Sequence, residues 1–196
     1  MLLNMAATES QMLALGTEAS GFTLSDPDGR QYSLDGGENA DAYLVMFISN
    51  HCPFVKHVAG ELANIGRDYG SRNVAIYAIN SNDIRTHPAD SPAAMKKEGV
   101  YRGYTFPYLF DEDQSVAKAY RAACTPDIYV FDADRKLVYR GQLDSSRPSN
   151  GIPVTGGDLR AALDAVLAGS PVSEDQIPSI GCNIKWKPGN EPEWYG

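Results

Sequence analysis

The chain has 196 residues, 43% of them hydrophobic, and a formal net charge of −8, which suits one domain with appendages. The acidic balance excludes a general phosphate-backbone binder, so nucleic acid is not an expected partner. No segment approaches the roughly 20 apolar residues needed to span a bilayer, so no membrane partner is expected either. The start, MLLNMAATESQMLALG, shows neither a basic leader nor an unbroken apolar stretch. Three cysteines are too few and too odd in number for a disulfide framework, which points to reactive or buried thiols in a cytoplasmic setting.

After a polar N-terminal stretch, Gly21 to Leu24 and Gln31 to Leu34 flank the turn signal Asp26-Pro27-Asp28-Gly29, predicting a hairpin. Tyr43 to Ile48 is a continuous apolar run of strand length, as a central strand covered on both faces requires. From Pro53 onward, Val55, Val58, Leu62, Ile65 and Tyr69 recur at steps of three and four, with Pro at a first turn and Gly70 at the end. That spacing predicts a helix. Val74 to Ile79 is a second buried strand, and strand-helix-strand order implies a parallel crossover. Residues 83–92 read as a loop and Ala93 to Tyr101 as a short helix. Pro107 to Phe110 then reads as a strand, and Ser115 to Ala122 as a helix that the acidic group Asp111, Glu112 and Asp113 begins. Ile128 to Phe131 and Lys136 to Arg140 form a second hairpin, and Gly156 to Leu167 closes the fold as a helix. Beyond Gly169 the chain is punctuated by Pro and Gly. Its two Trp residues predict a tail packed on the domain, giving a domain at 1–169 and a tail at 170–196.

Cys52 lies at the first strand-to-helix junction. The thiolate is the reactive form of cysteine, and a helix N-terminus offers unpaired N–H groups and a favourable dipole to an anion. Stabilisation of about 1–2 kcal/mol lowers a thiol pKa by roughly one unit, raising reactivity about tenfold near neutral pH. Ser49 stands three residues before Cys52, within reach of a hydrogen bond to it, and His51, Lys56 and His57 are candidate sources of positive charge. The position that completes a Cys-x-x-Cys pair is Val55, so a second sulfur must come from elsewhere. His51, Cys52 and His57 also raise a metal reading, but Cys52 and His57, five apart on a helix, point about 140° apart around its axis. Neither a metal nor another cofactor is expected.

The element order with cysteine at this junction resembles the thioredoxin-like superfamily, in its peroxiredoxin-like, AhpC/TSA-type redoxin branch. Gly16, Ala19, Phe22 and Leu24 match that branch's entry pattern, and Thr125-Pro126 stands just before a strand, where the active-site cis-proline lies. The resemblance implies an α/β fold, a central mixed sheet flanked by helices, with an N-terminal hairpin and a C-terminal tail. It also implies a thiol-dependent oxidoreductase or antioxidant protein acting on peroxides or protein disulfides through Cys52, with Ser49 beside it and Pro53, Thr125 and Pro126 lining the substrate site. Cys124 is the first choice for resolving thiol, because its loop faces Cys52 in such folds; Cys182, in the tail, is the second. The reductant would be a thioredoxin or glutathione system. The alternative is a metal-binding or redox-sensing partner protein without turnover.

Overall fold

The computed structural model describes residues 7–36 and 39–195. In chain order the elements are β1 (Ala7–Glu9), β2 (Thr23–Ser25), β3 (Gln31–Ser33), β4 (Ala42–Phe47), α1 (Pro53–Gly70), β5 (Val74–Asn80), α2 (Pro92–Arg102) and β6 (Tyr108–Phe110). There follow α3 (Ser115–Ala119), β7 (Cys124–Thr125), β8 (Asp127–Asp132), β9 (Leu137–Gly141), α4 (Gly157–Leu167) and β10 (Ile180–Asn183). A seven-stranded mixed sheet runs in the order β3-β2-β6-β5-β4-β8-β9, with β4, β5 and β6 parallel and the outer pairs antiparallel. This is the expected α/β, thioredoxin-like architecture.

Every residue of β4 is buried, and strand alternation divides its side chains between two cores. Ala42, Leu44 and Met46 pack with the apolar stripe of α1 and with Leu159 and Leu163 of α4. Tyr43, Val45 and Phe47 pack on the other face with Val116 and Ala117 of α3 and with Trp186 from the tail. Tyr120 stands edge-on to Tyr129 and Phe131 at centroid distances of 5.7 and 5.9 Å, so the strand aromatics are packing groups. Ser91 caps α2 by accepting the Ala94 N–H, and Gly103, at φ 70°, ends it in the left-handed region.

The structure differs from the sequence reading in several elements, among them the short strands β1 and β7, which the sequence reading lacks. The third helix stops at Ala119, because Arg121 takes φ 50° and breaks the turn. Residues 88–90, inside the expected loop, form a 3-10 turn. The tail, read as irregular, contributes β10, which lies between β1 and β7 in a second, antiparallel sheet.

Candidate active site

β4 delivers the chain to Ser49 and Asn50, and Cys52 then sits at the N-cap of α1, with Pro53 in its first turn and the Lys56 N–H bonded to the Cys52 carbonyl at 3.0 Å. The Thr125-Pro126 peptide is cis, and β10 is paired against it with Cys182 opposite Thr125. The strand therefore carries the Cys182 Sγ to 2.9 Å from the Cys52 Sγ. All three cysteines are free thiols, with Cys52 at 0% and Cys182 at 2% exposure.

Burial pushes the Cys52 thiol up, but hydrogen bonds outweigh it and bring its pKa down to about 6. The largest opposing contribution is the Cys182 thiol, followed by the Thr125 side chain and the backbone of Val55 and Cys182. Donors gathered around a sulfur favour its anion. Cys182 moves the opposite way: its bond to Cys52 raises its pKa, and burial adds to this. One sulfur holds the negative charge and the other keeps the proton. As a thiol, Cys52 donates to the Thr125 carbonyl at 3.1 Å.

The structure places the other expected site residues as follows. The Ser49 hydroxyl meets the Thr125 hydroxyl at 3.3 Å, so its influence on Cys52 passes through Thr125. Pro126 and Phe54 border a recess of about 20 Å³ with Ser146 and Ile180, room for about one water. Cys124 is fully buried on the far side of β7, its thiol turned toward the carbonyls of Pro126 and Ser179 at 3.5 and 3.9 Å. Burial raises its pKa well above the ordinary thiol value. The structure thus brings Cys182, and not Cys124, onto Cys52.

His51, His57 and Arg147 are hydrogen-bonded to groups other than Cys52. The His51 Nδ1 is bonded to Asp90 Oδ2 at 2.5 Å, and the His57 Nε2 donates to the Ser146 Oγ, which itself donates to the Ile152 carbonyl. Lys56 is exposed. The Arg147 guanidinium is turned into its own loop, donating to the carbonyls of Asp144 and Ser146 and to the Gln142 side chain. Among the described residues, no three His, Cys, Asp or Glu side chains are arranged to hold a metal ion.

Two buried acids escaped the sequence reading. Asp90 accepts the Asn50 N–H at 2.7 Å, the Asn82 Nδ2–H at 2.9 Å and the His51 ring, and so pins the turn that leads into Cys52. Despite burial, the His51 ring, Asn82 and the Asn50 N–H hold its pKa down. Asp127, just past the cis-proline, accepts the Ala123 N–H at 3.0 Å, and burial pushes its pKa up to about 7. Nothing in their spacing marks either residue; both are assembled by long-range packing.

The AhpC/TSA family profile matches residues 15–140, which takes in Cys52 and the cis-proline but ends before Cys182. The chain is 25% identical over 130 residues to thiol-disulfide oxidoreductase ResA of Geobacillus thermodenitrificans, covering 66% of this chain and 70% of that protein. It is 58% identical to an uncharacterized conserved protein of Geobacillus kaustophilus of known structure, with a TM-score of 0.92 and coverage of 95% and 99% of the two chains. The thioredoxin domain of a thiol-disulfide oxidoreductase from Bacteroides vulgatus superposes with a TM-score of 0.55 at 20% identity, over 65% of this chain and 88% of that one, a likeness of fold. With its cysteine at the junction of β4 and α1, facing a cis-proline, the chain belongs to the AhpC/TSA family and is a thiol oxidoreductase.

Proposed function

We propose that Cys52 and Cys182 are the redox-active dithiol of a thiol–disulfide oxidoreductase, with Cys52 as nucleophile and Cys182 as resolving thiol. The 2.9 Å contact between their sulfurs carries this reading. The Cys52 thiolate attacks one sulfur of a substrate disulfide, forming a mixed disulfide and expelling the other sulfur as a thiolate. Cys182 then gives up its proton and attacks the Cys52 sulfur, closing a Cys52–Cys182 disulfide and releasing the substrate as a second thiol. The dithiol loses two electrons, the substrate gains them, and an external thiol system, thioredoxin or glutathione, restores the reduced pair. A separation of 2.9 Å must shorten to about 2.05 Å to make the bond. A cytoplasmic setting is part of the same proposal, supported by the small, odd number of cysteines.

A peroxide is the second reading, supported by the AhpC/TSA family match and by the lowered pKa of Cys52. Attack on a peroxide oxygen leaves a sulfenic acid on Cys52 and releases hydroxide; Cys182 then displaces water and closes the same disulfide. The Arg147 guanidinium is engaged by the carbonyls of Asp144 and Ser146 and by the Gln142 side chain, which leaves it committed within its loop, so disulfide exchange ranks first.

Treatment of the full chain with oxidised glutathione, followed by peptide mapping under non-reducing conditions, tests the pairing. The expected product is a Cys52–Cys182 disulfide with Cys124 still alkylatable after unfolding. A disulfide to Cys124, or three unmodified thiols, refutes the assignment. Parallel measurement of hydrogen peroxide consumption by the reduced protein separates the two substrates.

A further inference from the structure

The segment that carries Cys182 also seals Cys52. Upstream of β10, the Gln142 N–H donates to the Ile177 carbonyl at 2.9 Å, where Gly141 adopts φ 156°; a Cβ there would stand 2.4 Å from that carbonyl oxygen. Ser179 exchanges two hydrogen bonds with Ser10, each of 3.0 Å. Downstream, the Lys185 N–H donates to Asn82 Oδ1 at 2.8 Å, and the Lys185 carbonyl accepts from the Asp83 N–H and from Gln114 Nε2. Between these anchors Cys182 lies against the Cys52 sulfur, with Gly181 next to it in the strand. At Gly181 the strand approaches the cis-proline so closely that a Cβ would fall 1.9 Å from the Thr125 carbonyl oxygen and 3.2 Å from the Pro126 nitrogen. Both are backbone atoms, which cannot rotate out of the way.

We propose that β10 is the gate of Cys52 and that Gly181 is the positioning residue that seats it. This rests on the reading of Cys52 and Cys182 as an exchanging pair. With Cys52 at 0% exposure, no disulfide reaches its sulfur until the Gly181-Cys182 step lifts from Thr125. The same step must return for Cys182 to resolve the mixed disulfide. Exclusion and resolution are then one motion, and a Cβ at position 181 disturbs both: the strand is held off, Cys52 is uncovered, and Cys182 is displaced from its partner. Between these anchors Gly181 and Cys182 are paired with Thr8 and Ala7 of β1, Cys182 also faces Thr125 of β7, and the Ile184 N–H donates to the Ala123 carbonyl at 3.1 Å, so the opening is a local break in this small sheet.

The test is made on the full chain with a Gly181→Ala variant, in two measurements. One is the rate at which iodoacetamide alkylates Cys52 in the folded, reduced protein. The other is the equilibrium constant of the Cys52–Cys182 disulfide in glutathione buffers, which reports the effective concentration of one thiol at the other and which a loss of global stability alone does not move. Alkylation at least tenfold faster, with an effective concentration at least tenfold lower, is expected. A folded variant within twofold of wild type in either measurement overturns the proposal. Should Gly181→Ala fail to fold, Gln114→Asn shortens a downstream anchor without touching the sulfurs or the cis-proline. Alkylation then rises several-fold; an unchanged rate overturns the gate. Absence of any Cys52–Cys182 disulfide in the wild-type chain overturns the exchange reading itself, whereas unchanged alkylation with that disulfide intact overturns only the gate.

Discussion

At the scale of single residues, the chemistry depends on how two chemically identical side chains come to behave differently. Cys52 is surrounded by hydrogen bonds that favour its anion, whereas Cys182 contributes its own proton to that set. Cys52→Ser removes the nucleophile and should reduce disulfide exchange to the uncatalysed rate with an unchanged thermal midpoint, since serine fits the buried cap; retained exchange would move the site elsewhere. Cys182→Ser should keep the first step and stall as a glutathione adduct, visible by mass spectrometry after one turnover. Cys124→Ser keeps a donor for the Pro126 carbonyl and should exchange at a rate within about twofold of wild type. The Cys52 pKa of about 6 lies below the ordinary thiol value of 9.0, so the thiolate fraction rises through pH 6 and is nearly complete at pH 7. The exchange rate should therefore climb between pH 5 and 7 and then level off. A midpoint near 9.0, the ordinary thiol value, would contradict the stabilising bonds from Cys182 and Thr125.

At the scale of elements, the turn into α1 and the tail are joined through one buried carboxylate. Asp90 holds the Asn50 N–H and the Asn82 side chain, and Asn82 in turn receives the Lys185 N–H beyond β10. Asp90→Ala leaves several buried donors without an acceptor and should cost about 2–4 kcal/mol in denaturant unfolding, together with faster alkylation of Cys52. A loss under about 0.5 kcal/mol would show that the carboxylate is replaceable by water. How much of this is legible in the sequence depends on the range of the forces involved. The stripe of α1, the buried run of β4 and the cap at Cys52 are local patterns, and the chain spells them out. The cis-proline beside the site is what the family resemblance implies for Thr125-Pro126, and the peptide is cis. β10 does not: Ile180 to Asn183 has a weak strand pattern and becomes a strand because β1 and β7 pair with it on both sides. The choice between Cys124 and Cys182 turns on the same pairing, because register puts Cys182 opposite Thr125 on the face toward Cys52 and leaves Cys124 on the other. Ser49 lies where expected, but its partner is Thr125, a contact 76 residues away in sequence that no local motif encodes.

At the scale of the whole molecule, Asp127 is the ionisable group buried immediately after the cis-proline. Burial pushes its pKa up to about 7, from an ordinary 3.8, so the folded state holds a proton that the unfolded chain has already released. The resulting stabilisation is fully present below pH 3.8 and is lost as pH rises through about 7. Above that, folding must bury the charge. Asp127→Asn keeps an acceptor for the Ala123 N–H without the charge. Its thermal midpoint should exceed that of wild type by about 3 °C or more at pH 8, and the difference should shrink steadily toward pH 5. Calorimetric or circular-dichroism melts across that range measure the gap directly. A difference that stays constant with pH would assign the effect to packing, whereas a variant destabilised at pH 8 would mean that the ionised carboxylate is needed at the base of the cis-proline turn.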